Sequence, residues 1–201
     1  MQTIGILLFD DVDVIDAGGP YEVFLTASRL AVRAGGPAPF AVVTIGVTAE
    51  PVEAYGGLRL IPQRAAGEVE RLDVLIVPGT TEVDAVLARA SLLEAVRRLA
   101  ERSTITASIC TGAFLLAELG LLANCAYTTH WEDVDALAER LGTAGARRSV
   151  RWVDEGDIVT AAGLSSGIAA ALHLVDRLVG RSSADATARQ LDYDWDPSGE
   201  R

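Results

Sequence analysis

The stretch "TITASICTGAFLLAELGLL", Thr104 to Leu122, sets the reading of the whole chain. Its first half is apolar and β-branched, as in a strand buried on both faces. Its second half carries apolar residues at helical spacing. Between them lie Cys110, Thr111 and Gly112, with no room for a long loop. A strand running straight into a helix is one step of an alternating β/α fold, and the flanking sequence repeats it.

"TIGILLF" at the N-terminus, "FAVVTIG" from Phe40 and "LDVLIVPG" from Leu72 read as further buried strands. A helix is expected to start at Pro20 and run to about Val32, after an acidic loop or irregular turn over Asp11 to Asp16. Helical patterns also cover about Val83 to Arg102 in two pieces, Ala113 to Leu122, Trp131 to Leu141 and Ile168 to Val179. "YGGLRLIPQ" reads as a hairpin arm, "CAYTTHW" as a short strand and turn, and "RSVRWVDEGDIVTAAG" as a hairpin turning at Glu155-Gly156. Alternation of this kind implies an α/β fold with a mostly parallel central sheet covered by helices on both faces. One domain over residues 1–201 is expected, with a helix in the tail and a loose segment from about residue 194.

Composition removes several classes of function. The formal net charge is −11, which gives no basic footprint for nucleic acid and no attraction to an anionic membrane. A small neutral substrate suits it better than a polyanion. All seventeen basic residues are arginine. Schiff-base lysines, lysine-anchored pyridoxal phosphate and a phosphate-loop lysine are therefore out. Two cysteines and two histidines form no metal-ligand spacing and no C-x-x-C pair, so no metal site is expected. No signal peptide or membrane span is read, and a cytoplasmic location is the default.

In an open parallel sheet, sites gather at the carboxyl ends of strands. Three such ends carry suggestive residues: Asp16 after the first, Gly79 and Thr80 after "LIVP", and Cys110 and Thr111 after "TASI". A tight strand-to-helix turn would hold Cys110 out of the sheet. The helix N-terminus behind it would favour the thiolate. Free cysteine is also among the most buried residue types, so position alone leaves both readings open. The amides of Gly79 and Thr80 could stabilise developing charge. A carboxyl at Asp16 facing the sulfur would have a raised pKa and could carry protons. His130 is a candidate base, Glu22 a supporting acid, His173 a structural residue, and Cys125 a packing one.

Together these segments resemble the DJ-1/PfpI superfamily, and within it the isonitrile hydratase branch. The resemblance rests on "IGILLFDDVDVIDAGGPYEVF", "LDVLIVPG", "SICTGAFLLAELGLL", "TTHW" and "GLSSGIAAALHLV" and covers nearly the whole chain. It implies a flavodoxin-like sandwich, usually a homodimer, with Cys110 as nucleophile, Asp16 as its proton carrier and Thr111 after the cysteine. It implies hydration of an isonitrile to an N-substituted formamide through a thioimidate, without a cofactor. PfpI-type peptidases place histidine where Thr111 stands, and glyoxalase-like and deglycase-like members use glutamate where Asp16 stands. The hydratases tend to have a Gly-Gly pair where this chain has Gly79-Thr80, and their glycine-rich stretch before the last long helix is reduced here to Gly163 in "AAGLSS". Two alternatives share the scaffold: another pathway-specific cysteine enzyme, or a ligand-sensing domain like that of AraC-type regulators. Those regulators add a C-terminal DNA-binding region, which is not expected here.

Overall fold

The computed structural model describes residues 1–200. Strand β1 (Gln2–Leu7) leads to α1 (Val14–Arg33), β2 (Phe40–Gly46), the hairpin of β3 (Val52–Glu53) and β4 (Arg59–Leu60), and β5 (Arg64–Ala65). Next come β6 (Leu72–Val77), α2 (Val83–Leu87), α3 (Ala90–Glu101), β7 (Ser103–Ile109) and α4 (Gly112–Glu118). The chain finishes with α5 (Val134–Leu141), β8 (Trp152–Asp154), β9 (Ile158–Ala161), α6 (Ser165–Val179) and α7 (Arg181–Gln190).

Seven strands form one sheet in the order β5-β2-β1-β6-β7-β9-β8, parallel except for the β8–β9 pair. The period-two geometry of a strand sorts its side chains onto two faces. Ile4, Ile6, Val74, Ile76, Ile105 and Ile109 pack with Phe24, Leu172 and Val175 from α1 and α6. Leu7, Leu75 and Val77 pack with Val96, Leu99 and Leu116 from α3 and α4 on the other face. The result is a three-layer sandwich of flavodoxin-like order. The strand order reverses between β1 and β6, and a crevice opens at their carboxyl ends. The segments after β1, β6 and β7 all reach this edge.

Three local expectations are corrected. The first helix starts at Val14, not Pro20, so Asp16 lies in its first turn rather than in a loop. Proline removes the N–H that would bond the Asp16 carbonyl and crowds that carbonyl, but burial of Ala17, Val23, Phe24 and Ala27 carries the helix through it. "CAYTTHW" contributes only a bridge between Tyr127 and Ala146, and the following helix starts at Val134 rather than Trp131. The tail beyond α7 has no regular element but is anchored. Trp195 Nε1 donates to the Ala169 carbonyl at 3.2 Å, and the Arg181 guanidinium lies over its ring. Glu200 forms a bridge with Val150. Among the described residues, no helix is long and apolar enough to cross a membrane.

Candidate active site

Strand β7 ends at Ile109, and the next residue, Cys110, has φ +55°. That left-handed conformation is unfavourable for a side chain with a Cβ. The surroundings hold it. The Cys110 N–H is shared between the carbonyls of Ala161 and Ala162, at 3.1 and 3.2 Å. Its own carbonyl accepts the Thr129 hydroxyl at 2.8 Å. Gly112 follows because a Cβ there would collide with the carbonyl oxygens of Val77 and Pro78. The strand-to-helix elbow is thus enforced by its neighbours. The thiol is 5 % exposed and opens onto a cavity of about 300 Å³.

Asp16 lies beneath it, 0 % exposed. Its Oδ2 accepts the Gly79 N–H at 3.1 Å, while its buried Oδ1 has no hydrogen-bond partner. A side chain at Gly79 would press on Thr111 Oγ1 at 2.7 Å and Asp16 Oδ2 at 2.9 Å. Thr111 is locked to the same loop. Its hydroxyl donates to the Thr80 carbonyl at 2.6 Å and accepts the Thr80 N–H at 2.8 Å. The Thr80 hydroxyl in turn donates to the Asp11 carbonyl. Three strand ends are therefore tied by hydrogen bonds between residues remote in sequence.

This arrangement corrects two expectations. The Gly79 and Thr80 amides are already engaged, with Asp16 and Thr111, and hold those side chains instead of offering free donors. The amides facing the sulfur are those of Thr111 and Leu164, and Leu164 also faces the Asp16 carboxyl. Nor is the thiol acidified. Burial first, and the Asp16 charge second, push the Cys110 pKa well up, and the two amides offset this only in part. The amide of Thr111, the N-cap of α4, is one of the two that face the sulfur, and it does not reverse the rise. Burial first, and the neighbouring Asp13 carboxylate second, raise Asp16 to about 7. The two groups form a coupled pair in which the sulfur holds its proton more tightly than the carboxyl.

His130 lines the same cavity, with Asp13, Thr80, Cys110, Thr111 and Leu164 among its neighbours. Its ring lies against the backbone of Gly163, where a Cβ would overlap it. Its Nδ1 is 3.3 Å from Asp133 Oδ2 and 3.7 Å from Glu132 Oε2. Glu22 does not join the site. It lies on the outer side of α1, accepting the Thr26 hydroxyl beside Arg29. His173 pairs with Asp154 at 2.6 Å and stacks on Trp152, away from the cavity. Sequence reasoning missed Leu164, whose φ of +51° turns its amide inward. It also missed Asp13, three residues before Asp16 and on the same helical turn, the one available signal. Among the described residues, no cluster of three or more His, Cys, Asp or Glu is placed to hold a metal.

An elbow cysteine paired with a buried carboxyl on a flavodoxin-like sheet defines a class, and the comparisons agree with it. The chain belongs to the DJ-1/PfpI family, whose model matches residues 2–177. Within that family it is 32 % identical to the isonitrile hydratase of Pseudomonas putida, over 94 % of this chain and 78 % of that protein. A crystal structure of a ThiJ/PfpI family protein from Pseudomonas syringae superposes with a TM-score of 0.82 at 27 % identity, covering 98 % of this chain and 76 % of that one. The regulator GbdR of Pseudomonas aeruginosa is 26 % identical over 96 % of this chain, which spans 51 % of the regulator's length.

Proposed function

We propose that this protein hydrates an isonitrile to an N-substituted formamide, with Cys110 as nucleophile and Asp16 as proton carrier. The observation that carries the reading is the pairing of the elbow thiol with a buried carboxyl whose pKa is about 7. Similarity to an isonitrile hydratase supports the choice of substrate.

The pair holds one proton between sulfur and carboxylate. As the sulfur adds to the terminal isonitrile carbon, its proton passes to Asp16 and from there to that carbon. The product is a thioimidate, R–N=CH–S–Cys110. Water then adds its oxygen to the same carbon, and a proton goes to nitrogen. The C–S bond breaks as the carbonyl forms, the remaining proton returns to the sulfur, and R–NH–CHO leaves. The sum is one water added to one isonitrile. Coupling proton transfer to attack suits a thiol with a raised pKa, because a free thiolate never has to accumulate. The Thr111 and Leu164 amides oppose the charge that builds on sulfur when the C–S bond breaks.

The test is product formation by purified protein with simple alkyl and aryl isonitriles, followed with intact-mass analysis. Formamide that disappears in Cys110→Ser supports the reading. No turnover across the panel refutes it. The similarity to GbdR supports a second reading, a ligand-sensing domain. It predicts saturable ligand binding without turnover, unaffected by Cys110→Ser. We also take the protein to act as a cytoplasmic homodimer. The exposed side chains of Tyr55, Leu58 and Ile61 on and beside the β3–β4 hairpin, with Ile15 on α1, supply an apolar face for the second copy.

A further inference from the structure

The cavity above Cys110 is charged in one sense. Asp13, Glu132 and Asp133 line it, and no arginine does. The one basic side chain there, His130, already faces Glu132 and Asp133. Asp13 is the least compensated of the three. It stands at the N-cap of α1, where an aspartate usually accepts an amide of the first turn, yet its side chain makes no such bond. It lies instead on the cavity wall, half-buried, with only the charge of His130 to favour its ionised form. Deeper in, Asp16 Oδ1 is fully buried and unpartnered beside the thiol. A half-buried carboxylate without a partner costs free energy that a ligand cation would offset.

We propose that the physiological substrate carries a positively charged group, an ammonium or similar cation, close to its reacting carbon, and that Asp13 is the carboxylate that receives it. The proposal rests on the reading that Cys110 is the reacting residue, and it narrows the substrate class within that reading. Anionic substrates are disfavoured by Asp13, Glu132 and Asp133 together. Asp13 acts on specificity, and Asp16 remains the proton carrier.

The experiment does not need isonitrile turnover. In a Cys125→Ser background, Cys110 is the only thiol. It is labelled with methanethiosulfonates bearing either a trimethylammonium or a sulfonate end, at 0.5 M NaCl, and followed by intact mass. The cysteine sulfur attacks the sulfenyl sulfur and the S–SO₂ bond breaks. Methanesulfinate leaves with the electron pair, and the thiol proton goes to solvent. The ratio of cationic to anionic rate is normalised to that of 2-mercaptoethanol. The salt screens the overall charge of −11, so the remaining preference reports the cavity. The normalised ratio should exceed about 10, fall about five- to tenfold in Asp13→Asn, and stay unchanged in Asp194→Asn, an exposed carboxylate on the tail. A ratio near that of the free thiol, a ratio unmoved by Asp13→Asn, or no labelling by either reagent overturns the proposal. Parallel kcat/KM values for ammonium-bearing and carboxylate-bearing alkyl isonitriles separate the two ideas. Turnover without charge preference leaves hydration standing and removes this inference. Charge-selective labelling without turnover does the reverse.

Discussion

The Gly79 N–H donates to Oδ2 of Asp16 at 3.1 Å, while Oδ1 of the same carboxyl is buried with no partner. The hydrogen bonds to this carboxyl, from Gly79, Cys110 and Leu164, are outweighed by burial and by the Asp13 charge, and the pKa rises to about 7. The sign for folding follows. Between the ordinary carboxyl value of 3.8 and about 7 the unfolded chain is ionised while the folded one keeps its proton. Stability from this group is therefore fully present below pH 3.8 and is lost as pH rises through 7. The loss is on the order of 4 kcal/mol at about 1.4 kcal/mol per pK unit. Asp16→Asn should then melt at a higher temperature than the native protein at pH 8 and show a flatter dependence between pH 5 and 8. It should also lose at least about a hundredfold in formamide production. Thermal unfolding and turnover on the same samples check both.

The rate should follow the protonation state of the Cys110–Asp16 pair. A doubly protonated pair has no base to take the thiol proton, so kcat/KM should rise with pH through an apparent value near 7 and then reach a plateau. The value belongs to the pair rather than to either residue. Because the Asp13 carboxylate contributes to the rise at Asp16, Asp13→Asn should move the profile to lower pH. A profile that falls through 7, or one unmoved by Asp13→Asn, would contradict this assignment.

The sheet and the elbow position of Cys110 are legible in the chain because both follow from local rules. Buried parallel strands show as short apolar runs, and a cysteine between a strand and a helix announces an elbow. The extent of α1 was not legible, because Pro20 reads as a start signal, and only packing of Gly19 against Ile168 and of Phe24 in the core shows that the helix passes through it. The raised pKa of Cys110 is hidden from the sequence for a related reason. A helix N-terminus is visible in sequence, but burial and a carboxylate from 94 residues earlier are not. The roles of the Gly79 and Thr80 amides depend on where Asp16 and Thr111 point, which is tertiary information.

Thr111 should act through geometry. Thr111→Val removes both hydrogen bonds to Thr80 and leaves a buried N–H and C=O unpaired, at a cost of about 3 kcal/mol. Thr111→Ser keeps the hydroxyl and should restore most of the stability and activity. A denaturant midpoint that drops in the valine variant and recovers in the serine variant would establish the hydroxyl as the cause. Equal losses in both would show that the hydroxyl alone does not hold the site.

The apolar face around the β3–β4 hairpin gives a test of assembly. Ile61 is 71 % exposed and has no core role, so Ile61→Glu should leave the fold intact. The native protein should sediment at twice the chain mass of 21.1 kDa, and the variant at the chain mass, because a carboxylate would have to be buried without a partner in the pair. A variant that still sediments as a dimer would place the interface elsewhere.

Gly112 offers the most direct test of the elbow itself. A Cβ at this position would overlap the Val77 carbonyl oxygen and lie 2.8 Å from that of Pro78. Backbone atoms cannot step aside as the end of a flexible side chain does, so Gly112→Ala should cost about 3 kcal/mol and push α4 away from β6. Cys110 is bonded through its own N–H and carbonyl to Ala161, Ala162 and Thr129. It should remain near its place while the Thr111 amide moves off the sulfur. The variant should therefore fold with a lower melting temperature and keep a thiol that can be labelled, yet lose turnover through kcat more than through KM. Unchanged kcat in a protein destabilised by this amount would mean that the Thr111 amide takes no part in the reaction.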